Sequence, residues 1–179
     1  MMEKVLEKDC CRKCIEYKKK IFLMRYSSNN KEEDAWRSGI SAAVRQLKVY
    51  SLHDASKRRE IRGKWKEQLI TLGEKYKDTQ TRQQFEKDVE ELWTAMNAKY
   101  KAEFTHPDLR NSNPGFRIAQ AQKSLSVYLK HLWCNGKIAM PPVCPIDSTI
   151  LKVIGKRGGR NVHGVTLIRW KNIGNSVIG

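Results

Sequence analysis

The spacing of large apolar residues over the first hundred positions constrains this chain most. Ile61, Trp65, Leu69, Leu72 and Tyr76 recur every three or four residues, which is the repeat of one helix face and not the two-residue alternation of a half-buried strand. Trp36, Ile40, Ala43, Val44, Leu47 and Tyr50 form a second such stripe. Phe85, Val89, Leu92, Trp93, Met96 and Tyr100 form another, preceded by the capping residues Thr79 and Thr81 and expected to end near Phe104. A weaker, interrupted set (Val5, Leu6, Ile15, Ile21, Phe22, Met24) predicts a helix ahead of these three. Each stripe covers one face only, so each helix must bury it against another, and the expected fold is all-α.

The stretch from His106-Pro107-Asp108 to Asn113-Pro114-Gly115 is dense in turn formers and predicts a loop. We place a boundary there, between an N-terminal helical lobe (1–105) and a basic C-terminal lobe (106–179). A helix is expected from Ile118 to Trp133, with Ile118, Ala121, Leu125, Leu129 and Leu132 on its apolar face and Lys123 and Lys130 together on another. Asn135-Gly136 ends it. The run Met140-Pro141-Pro142-Val143-Cys144-Pro145 must be extended, because proline lacks a donor and biases its predecessor away from helix. A short helix is expected over Ser148–Ile154, with Asp147 at its start and Gly155 at its end.

The chain carries 35 Lys and Arg against 19 Asp and Glu, a formal net charge of +16, which attracts polyanions. From Phe104 to Gly179 there are eleven basic residues and two acidic ones, Asp108 and Asp147. Charge so poorly compensated favours phosphate binding over a merely solvated face, with Arg117, Lys130, Lys156, Arg157 and Arg160 as candidate contacts. No apolar run approaches the roughly 18 residues of a spanning helix, and the Met1 segment is charged, unlike a signal peptide. A cytoplasmic monomer without a membrane partner is expected. Cysteines 10, 11, 14, 134 and 144 are odd in number and suggest reduced thiols. A Cys-x-x-Cys pair without a second pair is half a zinc site, so neither metal nor cofactor is expected.

In the cationic half Asp147 is a carboxylate at a helix start. A fixed carboxylate can stabilise the positive charge that builds on a sugar as an N-glycosidic bond breaks, and it can equally cap the helix. The segment Gln122-Lys123-Ser124-Leu125-Ser126-Val127-Tyr128-Leu129-Lys130, followed by Val143-Cys144-Pro145-Ile146-Asp147, resembles the core of helix-hairpin-helix DNA glycosylases, the archaeal 8-oxoguanine glycosylase branch above all. In place of that family's Gly-x-Gly hairpin stands Asn113-Pro114-Gly115-Phe116-Arg117.

The resemblance implies a two-lobed helical fold with a central cleft, and extrusion of a base from double-stranded DNA into a pocket. Lys123 falls at the family's amine nucleophile and Asp147 at its catalytic carboxylate. Trp36, Tyr128 and Trp133 are the candidate pocket aromatics, although helical spacing makes each of them a core candidate as well. The expected activity is excision of a damaged or modified base, either an oxidised purine or a hypermodified base in phage DNA removed as a defence. The alternatives are a non-enzymatic, architectural DNA-binding protein and, on charge alone, an RNA-binding one.

Overall fold

The computed structural model describes residues 2–44, 50, 54–104 and 115–143, with side chains in the first helix described from Lys13 onward. The chain divides into two compact units, Met1–Pro145 and Ile146–Gly179, and every described residue belongs to the first. The expected division after residue 105, the short helix over 148–154 and the basic stretch beyond it lie outside the described residues.

Among the described residues five α-helices follow one another: α1 (Met2–Tyr26), α2 (Lys31–Val44), α3 (Ala55–Glu74), α4 (Arg82–Tyr100) and α5 (Ile118–Cys134). The described part is mostly helical and contains no strand, as the apolar spacing predicts. Local chemistry sets the helix limits. The Asn30 side chain accepts from Glu33 N at 3.1 Å and starts α2, Asp54 accepts from the amides of Ser56 and Lys57 to start α3, and the Thr81 hydroxyl accepts from Gln84 N at 3.1 Å to start α4. At the end of α5, Gly136 takes a left-handed φ of 71° while Lys137 N donates to Leu132 O at 2.9 Å, a C-terminal closure that favours glycine.

Most of the buried apolar side chains come from the predicted stripes of α2 to α5, although Trp36, Val44, Trp93 and Ile118 of those stripes are only half-buried. α3, α4 and α5 pack on one another and bury Ile61, Trp65, Leu69 and Leu72 from α3, Phe85, Val89, Leu92 and Met96 from α4 and Ala121, Leu125 and Leu129 from α5. The most extensive helix pairing is α2 on α5. Several residues depart from the sequence reading: Ile21 and Met24, placed in the apolar set of the first helix, are exposed at 43 % and 79 %. Tyr76 lies past α3 in a 3-10 turn, where it is buried and donates to the fully buried Asp88 at 2.7 Å. Tyr50 is not on α2: it bridges Phe104 in antiparallel fashion, the rings 5.6 Å apart. That pairing crosses more than fifty residues of chain, and a local periodicity cannot register it.

The entry to α5 is held from α4. Asn97 donates to Phe116 O and accepts from Phe116 N, both at 2.9 Å, while the Phe116 ring stands edge-on to Trp65, centroids 4.7 Å apart. Gly115 N donates to Phe104 O at 3.3 Å. Phe104 and Gly115, the described residues on either side of 105–114, are thus neighbours.

Candidate functional site

α5 contains no acidic residue, so its cations have no ion-pair partner on their own helix. Its buried face is fixed by a polar link as well as by apolar packing. Trp65 Nε1 donates to Ser124 Oγ at 3.1 Å, and that hydroxyl donates to Ala121 O at 3.0 Å, so neither buried group is left without a partner. With this face turned inward, the neighbouring Lys123 is exposed. Lys130, two turns on, is half-buried, with its Nζ 4.5 Å from the centroid of Phe22 of α1. Arg117 caps the helix through its backbone, its N–H donating to Gln120 Oε1 at 2.8 Å and its C=O accepting from Gln120 N at 2.9 Å. Arg117 as a residue is half-buried at the same end, with its Nε and Nη2 buried.

The three candidate pocket aromatics have different surroundings. Tyr128 is buried at the meeting of α2, α3 and α5. A Cβ added at Gly39 would stand 2.7 Å from Ser124 O and 3.3 Å from Tyr128 Cβ, and one at Gly73 would stand 2.8 Å from the Tyr128 ring. Both glycines are thus required by the close approach of α5. Burial, followed by the carboxylates of Glu32 and Glu74, pushes the Tyr128 phenol up to about 12. Trp36 is half-buried, with Lys66 Nζ of α3 4.7 Å and Arg37 Cζ 5.6 Å from its ring centroid. Trp133 is half-buried beneath Lys19 of α1, whose Nζ lies 4.4 Å from the ring centroid. Each tryptophan therefore presents an aromatic face to a cation, and the two draw their cations from different helices.

His131 is buried with its ring edge-on to Phe22, centroids 4.8 Å apart. Desolvation first, then the neighbouring Lys130 charge, push its imidazole down to about 4, with Asp34 acting the other way. Its Nδ1 is buried and has no hydrogen-bond partner among the described residues, which suits a neutral ring. Cys134 is buried and its thiol is shifted upward by desolvation, whereas Cys14 is exposed. Among the described residues, no group of three His, Cys, Asp or Glu could hold a metal ion, and no helix is long and apolar enough to cross a membrane.

Asp147, Lys156, Arg157 and Arg160 lie outside the described residues. Lys123 and Lys130 share a face of α5, with Arg117 at its start. The sequence reading missed the cations of α1, although Lys19 reaches Trp133 and Phe22 lies under Lys130. The signal was present as the run Lys18-Lys19-Lys20, which charge counting does not assign to a face. No protein-family model matches this chain, and neither a curated protein nor a solved structure matches it.

Proposed function

We propose that this chain binds double-stranded DNA and excises a modified base, with Asp147 as the carboxylate that stabilises charge on the sugar and Lys123 as the amine that attacks C1′. The observation that carries this reading is the placement of Lys123. It is exposed on a helix without acids, between Arg117 at that helix's start and Lys130 two turns on. The chain then leaves α5 for the Val143-Cys144-Pro145-Ile146-Asp147 segment, in the order in which the resembling glycosylases carry amine and acid. Exposure leaves the amine open to a bound strand, and exclusion of water from it falls to the DNA itself. Attack at C1′ forms the C–N bond as the base departs with the glycosidic electron pair, and sugar-ring opening yields the Schiff base.

Trp36 and Trp133 are the pocket candidates that fit an extruded base, because each offers a half-exposed ring that already attracts cations. Tyr128 is enclosed by three helices and serves the packing. The favoured substrate is an oxidised purine or a hypermodified base such as those of phage DNA, and the latter would make the protein a defence enzyme of the cytoplasm.

The test is an alkaline strand-break assay on duplexes carrying oxidised, deaminated, alkylated and phage-type modified bases. Asp147→Asn is expected to lower excision at least about a hundredfold while leaving duplex binding unchanged or tighter, since a negative charge near phosphates is removed. Lys123→Ala is expected to remove any borohydride-trapped protein–DNA product. Breaks on no duplex, with tight salt-sensitive binding retained, would replace this reading with the architectural one.

A further inference from the structure

α1 meets the rest of the unit through α5, with Phe22 against His131 and Lys130 and with Lys19 over Trp133. Advancing about 100° per residue, the opposite face carries Cys14, Tyr17, Ile21 and Met24, at spacings of three, four and three. That is the a-d-a-d order of a heptad seam. The seam is open: Cys14 is exposed, as are Tyr17 at 65 %, Ile21 at 43 % and Met24 at 79 %. The four positions bordering it, g and e of the heptad, are Lys13 and Lys20 on one side and Lys18 and Arg25 on the other. All four are basic. Glu16, the one acid between residues 13 and 26, lies off the seam and pairs with Lys19 at 3.0 Å.

We propose that this face of α1 docks an amphipathic helix of a partner protein whose own apolar seam is bordered by Asp and Glu. Side chains at e and g set partner choice in paired helices, because they meet e and g of the facing helix. A second copy of this chain would bring four cations against four cations in either orientation. Duplex phosphates would match the cations but leave Ile21 and Met24 in water. An interfacial membrane helix turns its polar face away from the lipid, whereas the face of α1 opposite this seam is packed on α5. Only an acidic helix matches both the apolar row and its borders. With three large apolar side chains in the seam, charge contributes much of the selectivity and speed of encounter. The surface is independent of the DNA-facing residues assigned above.

The probes are two synthetic amphipathic peptides about four heptads long with the same Leu/Ile seam, one with Glu and the other with Lys at every e and g position. Binding to the whole chain is read by fluorescence anisotropy. The Glu peptide is expected to bind at least about tenfold more tightly than the Lys peptide. The combined Lys13→Glu, Lys18→Glu, Lys20→Glu and Arg25→Glu variant should invert that order, and Ile21→Asp should abolish binding of the Glu peptide. Because these side chains are exposed, unchanged far-ultraviolet circular dichroism is expected and separates lost docking from lost folding. Equal affinity for the two peptides, or no binding of either, overturns the proposal. So does a sedimenting dimer that Ile21→Asp dissociates, which assigns the face to a second copy, or binding to phosphatidylserine vesicles that Ile21→Asp removes while the Glu peptide does not bind.

Discussion

His131 shows how one buried side chain sets a pH response for the entire unit. Its imidazole is held down to about 4 in the folded chain, against an ordinary value of 6.5. Between those limits the unfolded state binds the proton and the folded state does not. Stability therefore falls as pH is lowered through that window and is fully retained above it. A displacement of this size corresponds to up to about 3 kcal/mol. Urea denaturation at pH 7 and pH 4.5 should register a loss of this order, and His131→Leu should flatten it, since the variant removes both the titrating ring and its orphan Nδ1. A slope that survives in His131→Leu would assign the acid sensitivity to other groups. From sequence, this histidine is ambiguous, a lone histidine being more often structural than catalytic. Its burial against Phe22 favours the structural role, and the contact joins helices more than a hundred residues apart.

At the scale of elements, the α2–α5 pairing is the one most exposed to a single substitution. Ala at Gly39 would bring a Cβ to 2.7 Å from a backbone oxygen, Ser124 O, and backbone cannot swing aside as a side-chain tip can. Gly39→Ala is expected to destabilise the protein by about 1–3 kcal/mol, against the gain that alanine ordinarily brings inside a helix. Thermal denaturation checks the sign, and a raised Tm would mean that α5 is less closely seated on α2. Helix existence, and the ends marked by Thr81 and Asn135-Gly136, were legible in the sequence because they rest on neighbours within a turn. The extent of α1, the bridge from Tyr50 to Phe104 and the hold of Asn97 on Phe116 were not, because each depends on residues brought together only by folding. Gly39 illustrates the same limit: its role lies in the distance to another helix, and no local pattern reports it.

For the whole molecule the decisive quantity is charge, +16 overall, and how much of it reaches a polyanion. The charge bias toward the C-terminal half, and the common face of Lys123 and Lys130 on α5, could be read from residue order alone. A pairing of Lys123 with Asp147 depends on chain placement beyond the described residues, so the DNA reading is best tested by a property that every contact adds to. If Arg117, Lys130, Lys156, Arg157 and Arg160 each neutralise a phosphate, counterion release makes log K for a duplex fall linearly with log salt, with a slope of about −4.5. Each single alanine substitution among the five should make that slope shallower by about 0.9 and weaken binding similarly on every sequence, because phosphate contacts carry no base information. Lys13→Ala on α1 should leave the slope unchanged if that helix faces a protein partner. A slope near zero would exclude the basic surface as a DNA interface, and a slope that responds to the α1 lysine as strongly as to Lys130 would place the phosphates across both helices.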